Sequence, residues 1–184
     1  MNIEVIASVV IVAVAVVLII LWAIATSNRF KVILVKIDEA DSGIDVALTK
    51  RYDTLTKLID VVKAFAKHET ELFSQIVRLR KGMSMEEKSD VHHGMEEIEK
   101  KISILAEGYP ELKSAENYKQ LQEAISSAEN HLQAARRVFN MNVSSFNQAI
   151  AVFPASIIAA AQRHAPREFF EADEPKLADV KVYL

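Results

Sequence analysis

Hydrophobic and polar positions follow two regimes along the chain. From Val5 to Ala25 the sequence reads VIASVVIVAVAVVLIILWAIA, with no charge, no Pro and no Gly. At about 1.5 Å per residue such a run crosses the roughly 30 Å hydrocarbon core of a bilayer. In lipid the backbone must satisfy its own hydrogen bonds, so the segment predicts a membrane-spanning helix despite its many β-branched residues. Trp22 lies near the end of the run, where an indole suits the headgroup level. The rival reading is a cleaved secretory signal, which needs a basic start and an apolar stretch of about 7–15 residues. Here Glu4 precedes the run without any Lys or Arg, and only Ala23-Ile24-Ala25 resembles a cleavage site. The anchor reading is preferred.

Beyond residue 28 the apolar positions recur at steps of three and four, the mark of a helical stripe. Phe30, Ile33/Leu34, Ile37, Ile44, Leu48, Tyr52, Leu55, Ile59, Val62, Phe65, Leu72, Ile76 and Leu79 predict one long helix from about 28 to 81. It can continue from the membrane helix and would extend roughly 80 Å. Gly43 is its one weak point, at about 1 kcal/mol relative to Ala. A helix so long cannot bury its stripe alone, so partner helices are expected to run back along it. Gly82-Met83-Ser84 reads as a stop and a new start, because Ser84 and Glu87 have capping-box spacing. Val91, Met95, Ile98, Ile102 and Leu105 give the second stripe, closed by Gly108-Tyr109-Pro110. A third helix, about 113–152, carries Tyr118, Leu121, Ile125, Ala128, Leu132, Ala135, Phe139, Val143, Phe146, Ile150 and Phe153, and Pro154 marks its end. A shorter apolar segment, Ala155–Ala161, follows. The expected fold is all-α: an N-terminal transmembrane helix, then an elongated antiparallel helical bundle joined by short links. In domain terms, 1–27 is the short N-terminus and span, 28–165 the bundle, and 166–184 an acidic tail.

Charge and composition narrow the function. Arg29, Lys31 and Lys36 follow the span and no basic side chain precedes it, so the positive-inside rule puts the bundle in the cytoplasm and the N-terminus outside. A net charge of −3 does not suit a nucleic-acid partner. The absence of Cys excludes disulfides, thiolate metal sites and a Cys nucleophile. Four Gly and four Pro are too few for a turn-rich β protein.

Candidate chemistry is sparse. No Glu-x-x-His pair of the di-metal bundle type occurs, and His68-Glu69-Thr70-Glu71-Leu72 lacks the second His of a zinc-protease motif. His92-His93 beside Glu96 and Glu97 could hold a metal on a helix surface, but a solvated polar turn is the simpler reading. The run Glu96–Lys101 reads as a charged helix face. No nucleophile elbow or phosphate loop is present, so neither a cofactor nor catalysis is expected. More informative is the polar set Arg51, Asp53, Glu129, Arg136, Arg137, Asn140 and Asn147. Asn140 and Asn147 are one heptad apart, each directly after a core Phe. Residues so placed can pair across helices and fix register, which predicts that helices one and three align through this set; a solvated flank is the alternative.

Three blocks of the chain resemble the LemA family of bacterial membrane-anchored helical proteins. They are Lys50-Arg51-Tyr52-Asp53 through Leu58 into Val62–Glu69; Tyr109-Pro110-Glu111-Leu112-Lys113 through Glu129-Asn130, Ala135-Arg136-Arg137, Asn140, Phe146-Asn147 and Phe153-Pro154; and Phe169-Phe170-Glu171-Ala172. Each is weak alone, and their order and spacing make the likeness specific. The resemblance implies an N-terminal anchor, a helical bundle, an outside N-terminus and no established enzymatic activity. Thr56 stands where the family pattern tends to have Pro, and Phe139 and Phe146 where it tends to have Tyr before Asn, so roles for those hydroxyls do not carry over. The expected function is a non-enzymatic, self-assembling scaffold or interaction protein of a bacterial plasma (inner) membrane, with the lipid bilayer and further copies as partners. The alternative is an accessory or regulatory subunit bound to a membrane enzyme or transporter.

Overall fold

The computed structural model describes residues 3–66 and 82–170. Among these, 88% are helical and there is no strand, so the fold is all-α. The helices are α1 (Ile3–Phe65), α2 (Met85–Glu107), α3 (Pro110–Ser114), α4 (Glu116–Ala151) and α5 (Ala155–Ala161).

Helix α1 runs unbroken through both regimes of the sequence. Its first part carries an 18-residue window of mean hydropathy 3.3 with 0% buried inside the chain, which makes it a candidate membrane anchor. From Phe30 onward only one face is covered, with Phe30, Ile37, Ile44, Leu48, Leu55, Leu58, Ile59 and Val62 buried. Gly43 has open space where a side chain would stand, and the helix passes through it without a break. At the Thr56 position the hydroxyl donates to the Tyr52 carbonyl at 2.9 Å, and the helix continues.

Helix α1 runs to Phe65, and residues 67–81 of the expected helix lie outside the described residues. Buried Ala66 joins Ala106 and Leu112 in one core cluster. Leu72, Ile76 and Leu79 of the expected stripe, like His68-Glu69, Glu171-Ala172 and the run Leu177–Leu184, lie outside the described residues.

The start of α2 matches its capping box: the Glu87 N–H donates to Ser84 Oγ at 3.2 Å, and the Ser84 N–H donates to Glu87 Oε2 at 2.8 Å. The expected third helix is divided, because Ala115 is extended (φ −64°, ψ 130°) between α3 and α4. That break lets Leu112 and Tyr118 both face the core. Phe153, expected on the buried stripe, is 76% exposed. Helix α4 has already ended at Ala151, the Phe153–Pro154 peptide is cis, and α5 turns away from α4 by 97°.

The chain forms two compact units. One comprises Met1–Ala40 with Asn140–Glu168, the other Asp41–Phe139 with Phe169–Leu184. In the first, α4 runs antiparallel to α1, since Asn142 meets Lys36 and Phe146 meets Phe30. In the second, Lys88 meets Asp41 and Asp45 while Glu99 meets Arg51, so α2 runs in the same direction as α1. The antiparallel partner of both is α4, which brings Glu129 to Arg51 and Arg136 to His92. The expected short antiparallel link between the first two bundle helices is therefore replaced by a parallel pairing. Charged contacts inside the seam fix that register, and the apolar stripes alone do not encode it.

Candidate functional site

The most distinctive feature of the second unit is a buried cluster of charge. Arg51 lies on the covered face of α1 between Leu48 and Leu55, and its side chain is 2% exposed. Its Nε donates to Glu99 Oε1 of α2 at 3.0 Å. Its Nη1 lies 2.6 Å from Glu129 Oε2 of α4 and 2.5 Å from Nδ1 of His92 on α2. Glu129 Oε2 forms an ion pair with Arg51 Nη1. Gln133 donates to the other oxygen, Glu129 Oε1, at 3.2 Å.

His92 is the hub. Arg136 of α4 places Nη1 3.2 Å from His92 Nε2, and Glu96 Oε1 lies 3.8 Å from the same nitrogen. A neutral imidazole has one acceptor nitrogen and one N–H. Both guanidinium groups can only donate, so the neutral ring accepts from Arg51 at Nδ1 or from Arg136 at Nε2, and its one N–H takes the other nitrogen. Burial holds the pKa of His92 below its ordinary value, and the Arg51 guanidinium lowers it further; Glu129 and Glu96 pull the other way and do not restore it. Between two guanidinium groups in a low-dielectric interior, the neutral ring is the stable form. On its far side, Arg136 stacks on the ring of buried Phe170, 4.5 Å from the centroid.

A second pin lies near the start of α2. Lys88, whose side chain is 3% exposed, reaches Asp41 at 2.5 Å and Asp45 at 2.7 Å, two carboxylates one turn apart on α1. Buried charges of this kind contribute little net stability when paired, but leaving one partner unmatched costs about 3–5 kcal/mol. They therefore penalise a shifted register more than they glue the helices.

The sequence-selected polar residues divide. Arg51, Glu129 and Arg136 converge in this network. Asp53 and Arg137 are exposed and stand outside it. Asn140 is half-buried in the first unit, where Asn147 grips the chain after α5: Nδ2 donates to the Arg167 carbonyl at 2.9 Å, and Oδ1 accepts the Arg167 N–H at 2.8 Å. Nearby, His164 sits edge-on to both Phe30 and Phe146, at 5.4 and 5.6 Å. Sequence reasoning placed His92 in a solvated turn and Glu99 on a charged outer face. Instead His92 is 1% exposed, because α2 turns it inward one residue after Val91. His93 stays half-exposed, 3.7 Å from Glu96. Among the described residues, no group of three or more His, Asp or Glu side chains gathers as a metal site would require.

An all-helical bundle pinned by internal charges and joined to a bare apolar helix defines a class, the helical-bundle protein with one candidate N-terminal membrane anchor. Within that class the chain belongs to the LemA family, whose family model matches residues 40–183. It is similar to Protein LemA of Metamycoplasma hominis, 29% identical over 150 residues that cover 79% of this chain and 68% of the relative. The three blocks that resembled the family supply Arg51, then Glu129 and Arg136, then Phe170, and these residues meet in one network.

Proposed function

We propose that this protein is a non-enzymatic, membrane-anchored scaffold of the LemA type, which presents its helical bundle at the cytoplasmic face of a bacterial plasma membrane and assembles with further copies of itself. The observation that carries this reading is the apolar run Val5–Ala25: its side chains find no cover within the chain, and a bilayer is the environment that such a surface requires. Arg29, Lys31 and Lys36 after the run, with none before it, support the cytoplasmic orientation. The buried ionic groups of the second unit are turned on one another, which suits a device for shape better than one for turnover. Exposed apolar side chains on the body helices, among them Val35 at 64% and Ile104 at 70%, are available for lateral association. The test is the mass of the full-length protein in mild detergent. A uniform particle of several chains supports the scaffold. A single chain recovered with a stoichiometric membrane protein would favour the accessory-subunit reading.

A further inference from the structure

The first unit carries a corner whose design matches a bilayer surface. At the end of α4, Val152 and Phe153 are 60% and 76% exposed, and Ile157 on α5 is 59% exposed. The opposite side of α5 faces inward through buried Ala159. The corner lies level with the end of the apolar run: a cleft of about 440 Å³ is lined by Trp22, Thr26 and Arg29 on one side and Val152, Phe153 and Pro154 on the other. Gln162, just past α5, donates to Ser27 Oγ at 2.7 Å. Because α4 is antiparallel to α1 here and α5 turns by 97°, α5 lies across the direction of α1. A helix in that attitude beside a membrane span lies in the plane of the interface.

Charge agrees with this placement. Residues 26–36 and 152–167 contain Arg29, Lys31, Lys36, Arg163 and Arg167 and no Asp or Glu. Arg163 is informative for a second reason. It occupies the left-handed position (φ 56°) that closes α5, where its N–H bonds to the Ala160 carbonyl and the next N–H, of His164, to that of Ala159. Glycine fits that position without strain, whereas an L side chain there is strained. Arg163 thus places a long cation at a strained position beside the corner.

We propose that the Val152–Ile157 corner is a second membrane contact, an apolar wedge seated in the interfacial layer of the bilayer beside the span and ringed by cations that face anionic lipid headgroups. This rests on the reading of Val5–Ala25 as the anchor. The wedge adds a second point of attachment, so the first unit would not swivel freely about a single helix.

The chain has no Cys, so single cysteines report one position each. Full-length V14C, D38C, F153C and I157C are labelled with a polarity-sensitive fluorophore and reconstituted into vesicles of phosphatidylcholine and phosphatidylglycerol. Nitroxide lipids carrying the spin label either at the headgroup level or deep in the chains then act as quenchers. V14C should be quenched by the deep nitroxide. F153C and I157C should be blue-shifted and quenched several-fold more by the shallow nitroxide than D38C, which lies about 24 Å along the helix past Trp22. Quenching at V14C with F153C and I157C no different from D38C overturns the wedge and leaves the anchor standing. A blue shift at the corner without quenching also overturns it, since another protein surface, such as a second copy, would then be the cover. Failure at V14C removes the anchor and the wedge together. F153C and I157C both replace outward-facing side chains, and unchanged helical circular dichroism confirms that each variant is folded.

Discussion

The two compact units solve the same problem with different chemistry. Both must hold α1 against α4 in one register, and an apolar stripe with steps of three and four cannot do so alone, because sliding by a turn or two offers nearly equal burial. The first unit uses directional contacts other than ion pairs: the rings of Phe30, Phe146 and His164, the Asn142 bond to the Lys36 carbonyl, and the two-pronged grip of Asn147 on Arg167. The second uses ions, with Arg51, Glu99, Glu129, Arg136 and Lys88 inside or at the edge of the seam. Neutral bonds fail gently when one partner is lost. Charged ones fail steeply, because the group left behind is ionised in a poor dielectric. The second unit should therefore be the more selective in register and the more sensitive to substitution.

The largest effect expected from that contrast follows Arg51→Met. It strands Glu99 and Glu129, and chemical denaturation of the full chain followed by helicity should show a loss of about 3–5 kcal/mol. Combined with Glu129→Gln in a double-mutant cycle, it should give a coupling of about 1–3 kcal/mol; purely additive losses would mean that the 2.6 Å contact does not set register. In the first unit, Asn147→Ala removes two neutral bonds and should cost about 1 kcal/mol. Exchange of the Arg167 amide should also accelerate, and Asn147→Asp, which keeps the acceptor, should leave that amide protected. A cost as large as that of Arg51→Met would erase the distinction between the units.

The smallest effect is a pH dependence confined to the second unit. His92 is faced by Arg51 of α1, by Glu129 and Arg136 of α4, and by His93 and Glu96 of its own helix. Because its folded pKa is lowered, the unfolded chain binds the proton more readily than the folded one. Stability from this residue is complete above the ordinary histidine value, about 6.5, and is lost as pH falls from there toward the folded pKa. Replacing His92 with Gln should flatten the stability profile below about pH 6.5 relative to the parent. An unchanged slope in His92→Gln would assign the acid sensitivity to other groups.

Much of this architecture was legible beforehand, and the parts that were not share a cause. The apolar run, the capping box at Ser84, the stop at Gly108-Tyr109-Pro110 and the end near Pro154 are local signals, each decided within a few residues. The pairing of α2 with α1 is not local: the stripe Val91–Ile102 fits either direction, and Lys88 and Glu99 decide it. Arg51, Glu129 and Arg136 were picked out, yet His92 and Lys88 were passed over because charge was read as exposure. A heptad count catches Lys88. Arg51 follows Phe30, Ile37 and Ile44 at intervals of seven, Lys88 precedes Met95 and Ile102 likewise, and Glu129 and Arg136 lead into Val143 and Ile150. Polar residues that keep the period of the core belong to the core.

The network also has a consequence for the order of events during synthesis. Arg51 bonds to His92 and Glu99 across 41 and 48 positions of the chain, and Glu129 lies farther on still, with Arg136 and Phe170 following. Contacts so distant in sequence form slowly relative to helix formation. While the nascent chain ends anywhere before Glu129, Arg51 can meet Glu99 and His92 of α2 but not the carboxylate of α4, and Arg136 has yet to reach His92. The network is therefore complete only when the last long helix has arrived and Phe170 has settled over Arg136.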